Sequence, residues 1–199
     1  MRDPANMPGT VLAGRYLLDV LRSEATLANA GAMQFDATDL SSTNLVSVRI
    51  APLSRLVDPL LGSTTSSDAF DAFQAQCELA ESLSHPCIET IYDHGDATLD
   101  GERYVFTVAE RLAGGSLREF LDRGRRLTPS QALIVGIDVC RALDAAAKQG
   151  IVHGDIRPSR LVFGLDRRVR LVGFGAPLRP VDSLNLDQAR YSAPELSEG

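Results

Sequence analysis

The chain has 199 residues, a net charge of −6, 44% hydrophobic and 23% charged residues. This is the balance of an ordinary globular chain, long enough to bury a core without staples. The acidic balance, with a pI near 5.1, argues against general nucleic-acid or anionic-membrane binding, and the short basic run at Arg123, Arg125 and Arg126 reads as solvated loop charge. Cys77, Cys87 and Cys140 are widely spaced and form no CxxC pair. Neither a zinc site nor a disulfide framework is indicated, and a reducing cytosol is the simplest compartment. The first ten residues lack the apolar core of a signal peptide, and no run of about 18 apolar residues spans a membrane.

Residues 1–13 carry Pro and Gly with little periodicity and are expected to be a flexible lead-in. Three strand candidates follow, Tyr16 to Leu21, Gln34 to Thr38 and Leu45 to Ile50, the last rich in β-branched residues. After a polar loop around Gly62, Asp68 is placed to cap a helix whose apolar positions Phe70, Phe73, Cys77, Ala80 and Leu83 recur at helical spacing up to His85-Pro86. Ile88 to Tyr92 and Tyr104 to Ala109 read as strands, joined by a hairpin-like stretch containing Asp100 and Gly101. Beyond Gly114-Gly115 the character becomes helical: a short helix over 116–123, then a long one opened by Thr128-Pro129 and ended by Gly150. Its expected inner stripe is Leu133, Ile137, Cys140, Leu143 and Ala147. Two short strands, Arg160 to Phe163 and Val169 to Val172, meet across a turn at Asp166 and Arg167. Strands with one helix, then helices, predict an α+β chain of two lobes.

The order of these elements and several motifs resemble the protein-kinase fold, specifically the bacterial serine/threonine kinases of eukaryotic type. Ile151 to Arg160 (IVHGDIRPSR) is similar to the catalytic loop. Val172-Gly173-Phe174-Gly175 falls where the metal-binding Asp-Phe-Gly would be. Ala189 to Glu195 resembles the end of the activation segment, with Ala-Pro-Glu intact, and Glu110 to Leu117 resembles the interlobe hinge. Several ordered motifs at coherent spacing are more specific than any one alone. The resemblance implies a flexible segment over 1–13, a β-rich N-lobe over 14–110 and a partial helical C-lobe over 111–199. In the family further helices follow the Ala-Pro-Glu motif, so the chain is expected to be a C-terminal truncation.

Residue by residue, the resemblance implies a degenerate, pseudokinase member. The glycine-rich phosphate loop falls on Leu21 to Gln34, where Gly31 is the single glycine and Leu27, Asn29 and Ala32 stand near its register. Side chains there obstruct a backbone cradle. Arg49 replaces the strand-three lysine, and a planar fork is a poor substitute for a point charge. Gln76 stands for the helix glutamate that would pair with it. Gly154 replaces the arginine that docks a phosphorylated activation loop. Arg157 stands at the phosphate-contacting lysine, and Arg160 at the Mg²⁺-holding asparagine. Arginine has no acceptor and ligates no metal. Gly173 replaces the second metal-holding aspartate, so no metal site is expected. Asp155 survives at the position of the base, where it either acts on a hydroxyl or pairs with Arg157 to order the loop. His153 is expected to be a packing residue, and Ala109 stands at the gatekeeper.

The function so implied is a non-catalytic regulatory or scaffolding module in signalling. The alternative is a weak or unconventional ATP-dependent serine/threonine kinase. Arg49, Arg157, Arg160, Glu110 and Leu112 are the candidate nucleotide or phosphate contacts. No cofactor is expected beyond ATP or another nucleotide held weakly without Mg²⁺, with the three arginines either binding phosphate or pairing with Asp155 and its neighbours. The expected partner is a protein, a kinase or a phosphoprotein-binding module, in the cytoplasm or at a membrane tether supplied by segments outside this chain.

Overall fold

Along Met33–Asp39 buried and half-buried positions alternate without a break, the period-2 signature of a strand with one face in a core. The computed structural model describes residues 7–23, 32–56, 65–174 and 190–191. The chain divides into two units, one of Met1–Cys77 with Ile91–Arg111, the other of Glu78–Thr90 with Leu112–Gly199.

The first unit is built on a six-stranded antiparallel sheet of β1 (Val11–Leu12), β2 (Tyr16–Ser23), β3 (Met33–Asp39), β4 (Leu45–Pro52), β5 (Ile91–Leu99) and β6 (Glu102–Glu110), in the order β1-β2-β3-β4-β6-β5. Met33, Phe35 and Ala37 meet Leu18, Val48, Ile50, Phe106 and Val108 in one core. The helix α1 (Ser66–Ser82) places Ala69, Phe70 and Phe73 against Ala51, Leu53 and Val105. Its cap differs from expectation: Asp68 N–H donates to Thr65 Oγ1 at 3.2 Å and Thr65 N–H to Asp68 Oδ2 at 2.9 Å. Thr65 is therefore the cap and Asp68 the reciprocal partner of a capping box.

Two further readings change here. Residues 7–12, expected as lead-in, bury Met7 completely and pair Leu12 with Tyr16. β5 runs to Leu99, where a loop over 93–103 was expected. The turn is only Asp100-Gly101, both at positive φ (50° and 81°), the two-residue hairpin whose twist suits the flanking strands. Gly95 lies within β5 against the Phe106 ring, which a Cβ there would approach to 3.2 Å.

In the second unit α2 (Leu117–Asp122) is followed by α3 (Pro129–Ala147), then by the hairpin of β7 (Leu161–Phe163) and β8 (Val169–Leu171). α3 starts as expected, with Thr128 and Gln131 forming a capping box and Pro129 in the first turn. Residues 78–90 belong to this unit, because Glu89 N–H donates to Leu171 O and Leu171 N–H to Cys87 O at 3.1 and 2.8 Å. The inner face of α3 is Asp138, Ala142 and Ala146. The expected stripe does not face inward: Leu133 is 66% exposed, and Ile137 and Cys140 are exposed as well. The helix is apolar on more than one side, so periodicity alone did not choose the buried one. A carboxylate chose it: Asp138, 1% exposed, accepts from Arg168 Nε at 2.8 Å and from a second guanidinium N–H, tying α3 to the edge of β8. The Arg168 bonds hold that carboxyl below the usual range. Burial pushes up the neighbouring Cys87 thiol, which points at Asp138 Oδ1 from 3.7 Å.

Gly114 explains the Gly-Gly pair. Its N–H donates to Phe163 O at 2.9 Å, and a Cβ on it would sit 2.6 Å from that oxygen. Glycine there is a condition of close backbone approach.

Candidate functional site: the 153–160 loop and Gly173

The loop after α3 is shaped by three backbone requirements. Gly154 has φ +73°, a left-handed conformation that glycine adopts without penalty. Pro158 opens a single 3-10 turn, Pro158–Arg160, with its φ already set. Arg160 N–H donates to Arg157 O at 2.8 Å, and Val172 N–H to Arg160 O at 2.9 Å. The loop is thereby laced to the segment that follows β8.

His153 is the buttress. It is 2% exposed and lies edge-on to Phe174 with centroids 4.6 Å apart. Asp155 N–H donates to its Nδ1 at 3.1 Å, so Nδ1 is the acceptor and Nε2 carries the proton toward Val172 O at 3.2 Å. Burial holds the imidazole below its ordinary range, consistent with this neutral tautomer.

Asp155 receives a guanidinium on each oxygen. Arg157 Nε donates to Oδ1 at 2.8 Å and Arg160 Nε to Oδ2 at 2.9 Å. The Arg157 side chain is 9% exposed, and those of Asp155 and Arg160 are 24% and 26% exposed. One carboxylate thus receives two guanidinium groups of its own loop. To act on a substrate hydroxyl, Asp155 must share an oxygen already engaged in a charge-assisted bond.

The residues do not fit the Mg²⁺ that this fold implies. Gly173, at φ +93°, has the Arg160 guanidinium where a side chain would be: a Cβ would meet Nη1 at 2.9 Å, Cζ at 3.1 Å and Nε at 3.3 Å. A side chain at 173 would require the Arg160 guanidinium to shift from this position, and arginine itself offers no acceptor.

In the first unit Arg49 lies on β4, opposite Gln34 and Thr107. Directly paired residues share a sheet face, so this face also carries Asp36 and Ser47, with Ala109 beside them. Gln34 Nε2 donates to Ser47 Oγ at 2.9 Å. Asp36 Oδ2 takes Arg22 Nε and Arg111 Nη2, each at 2.9 Å, and these bonds draw its carboxyl below the usual range despite partial burial. The sequence reading missed this Arg22–Asp36–Arg111 bridge; its signal was the polar set Gln34, Asp36, Thr38 at every second position of β3. Gln76 sits half-buried on α1, and Glu110 ends β6 opposite Val46. Leu112 is half-buried in the second unit. Leu27, Asn29 and Gly31 lie outside the described residues, as does the Ala189–Glu195 motif apart from Arg190 and Tyr191.

The model of the family described as protein tyrosine and serine/threonine kinase matches residues 60–192. The chain belongs to the protein kinase family. A probable serine/threonine-protein kinase of Streptomyces coelicolor is 29% identical over 197 residues, covering 94% of this chain and 27% of that protein. A probable serine/threonine-protein kinase of Corynebacterium efficiens is 28% identical over 200 residues, 95% of this chain and 28% of the relative. The serine/threonine-protein kinase PknB of Mycobacterium tuberculosis H37Rv is 29% identical over 135 residues, 64% of this chain and 22% of PknB. The chain thus spans 22–28% of these relatives' length. Its strand-rich first unit and helix-bearing second unit are the α+β arrangement of the kinase fold. No helix among the described residues is long and apolar enough to cross a membrane.

Proposed function

We propose that this kinase-family chain is a pseudokinase, a regulatory or scaffolding module that engages a protein partner in signalling rather than transferring phosphate. The observation that carries the reading is the double pairing of Asp155 with Arg157 and Arg160. Phosphoryl transfer depends on positioning and on metal-assisted neutralisation of charge. Here the retained carboxylate is engaged by cations of its own loop, and both metal-ligand positions, 160 and 173, hold residues without an acceptor side chain. Electrostatic stabilisation and general-base assistance are each worth about 10²–10³-fold or more, so their joint loss leaves little rate to measure. Arg49 and Glu110 in the first unit, and Leu112, Arg157 and Arg160 in the second, are the proposed contacts for any nucleotide held without Mg²⁺. The setting is the cytoplasm, or its membrane face if a tether lies outside this chain.

The test is a phosphotransfer assay with radiolabelled ATP, Mg²⁺ or Mn²⁺ and a general protein substrate. The expected result is no transfer above background. Transfer that disappears in Asp155→Ala would overturn the reading.

A further inference from the structure

We infer that Arg160 and Gly173 form an interlock in which the guanidinium takes the place of a divalent cation, so that the loop around Asp155 is held in shape by an internal charge. Three observations meet at this point. The guanidinium binds the Asp155 carboxylate at 2.9 Å. It fills the volume into which a side chain at 173 would project, with Nη1 2.9 Å from the Cβ position. Its backbone is fixed on both sides, through Arg157 O and Val172 N, which places the base of the side chain beside Asp155. A cation held in this way is always charged and needs no solution metal. Glycine at 173 has a second cause, its φ of +93°, which penalises any side chain regardless of Arg160.

A double-mutant cycle separates these causes, because the φ penalty is present in both arms and cancels. Gly173→Ala is made in the unmodified 199-residue chain and in Arg160→Ala, and thermal midpoints are compared. The interlock predicts that Gly173→Ala costs less in the Arg160→Ala background, by roughly 2–10 °C, as residues in direct contact couple. A folded Gly173→Ala only in that background supports it in the same sense. Equal cost in both backgrounds overturns it. Should Gly173→Ala unfold the chain in either case, Mn²⁺ decides. The unmodified chain is expected to bind no Mn²⁺ by electron paramagnetic resonance, and Arg160→Asn/Gly173→Asp is expected to gain a site that Gly173→Asp alone lacks. Mn²⁺ bound by the unmodified chain and lost in Asp155→Asn overturns the inference. The interlock and the proposed function share a loop but fail separately. Phosphate transfer by the unmodified chain would sink the regulatory reading and leave the coupling standing. Additivity in the cycle would sink the interlock and leave inactivity standing.

Discussion

Removing Asp155 should destabilise the second unit, and the sign of that effect separates a structural carboxylate from one kept for chemistry. A side chain held ready for substrate commonly costs stability, so its removal is neutral or stabilising. Asp155 instead accepts one guanidinium bond on each oxygen, from groups 9% and 26% exposed. Hydrogen bonds to charged groups contribute about 1.5–3 kcal/mol each. Partial exposure screens both, while deletion also leaves two like charges facing one another. Asp155→Ala should therefore cost about 2–3 kcal/mol, or roughly 4–12 °C for a chain of this length. Asp155→Asn, which keeps a neutral acceptor, should fall between. The chain has no tryptophan, so far-UV circular dichroism during a thermal ramp is the suitable readout. A midpoint unchanged or raised in Asp155→Ala would refute the argument that the carboxylate is committed to the loop.

Gly114→Ala should cost about 1–3 kcal/mol by overpacking, since its Cβ would lie 2.6 Å from the Phe163 carbonyl; urea titration reads it, and a neutral result would show that the hairpin yields freely. His153 is held neutral by burial, so its contribution is complete above the imidazole's ordinary range and is lost as pH falls from there toward its depressed folded value. Thermal midpoints should decline as pH falls below about 6.5, and His153→Gln should flatten that slope. Asp138 has a lowered pKa because of Arg168; its contribution is present above the unfolded carboxylate value and lost as pH falls through the folded one. Asp138→Asn should remove part of the loss of stability below about pH 4, measured by acid titration of the circular dichroism signal.

Much of this fold is legible in the sequence, for identifiable reasons. β3 and β4 announce themselves by alternation and β-branching, and α3 by Thr128-Pro129 with Gln131 at the reciprocal position. The extension of β5 through Asp93, His94, Gly95 and Asp96 is not legible, because its residues have low strand propensity and are held by pairing with β6. The inner face of α3 is also hidden. Periodicity ranks Leu133 and Ile137 above Asp138, and only the position of Arg168, thirty residues away, makes the carboxylate the buried one. At the site, the motif order locates the 153–160 loop, but substitutions read one at a time record only what each position lacks.

Taken together, those substitutions describe a different object. An arginine in place of a metal ligand, alone, brings a guanidinium to Asp155 that needs room beside it. A glycine in place of an aspartate, alone, leaves an empty volume and a lost acceptor. In the structure each supplies what the other requires: the missing side chain at 173 is the room for the guanidinium, and the guanidinium is the cation for Asp155. Arg157 completes the arrangement from the other oxygen. Buried and half-buried charges persist where they are paired and hydrogen-bonded, and become costly where one partner is removed. Restoring a single family residue should therefore move the loop further from a working geometry. Gly173→Asp with Arg160 present forces the guanidinium to shift and pairs the new carboxylate with it instead of with a metal. Arg160→Asn with Gly173 present opens the volume without supplying the second acceptor. Only the paired change satisfies sterics and charge at once, and for that reason the cycle between positions 160 and 173 is more informative than any single reversion.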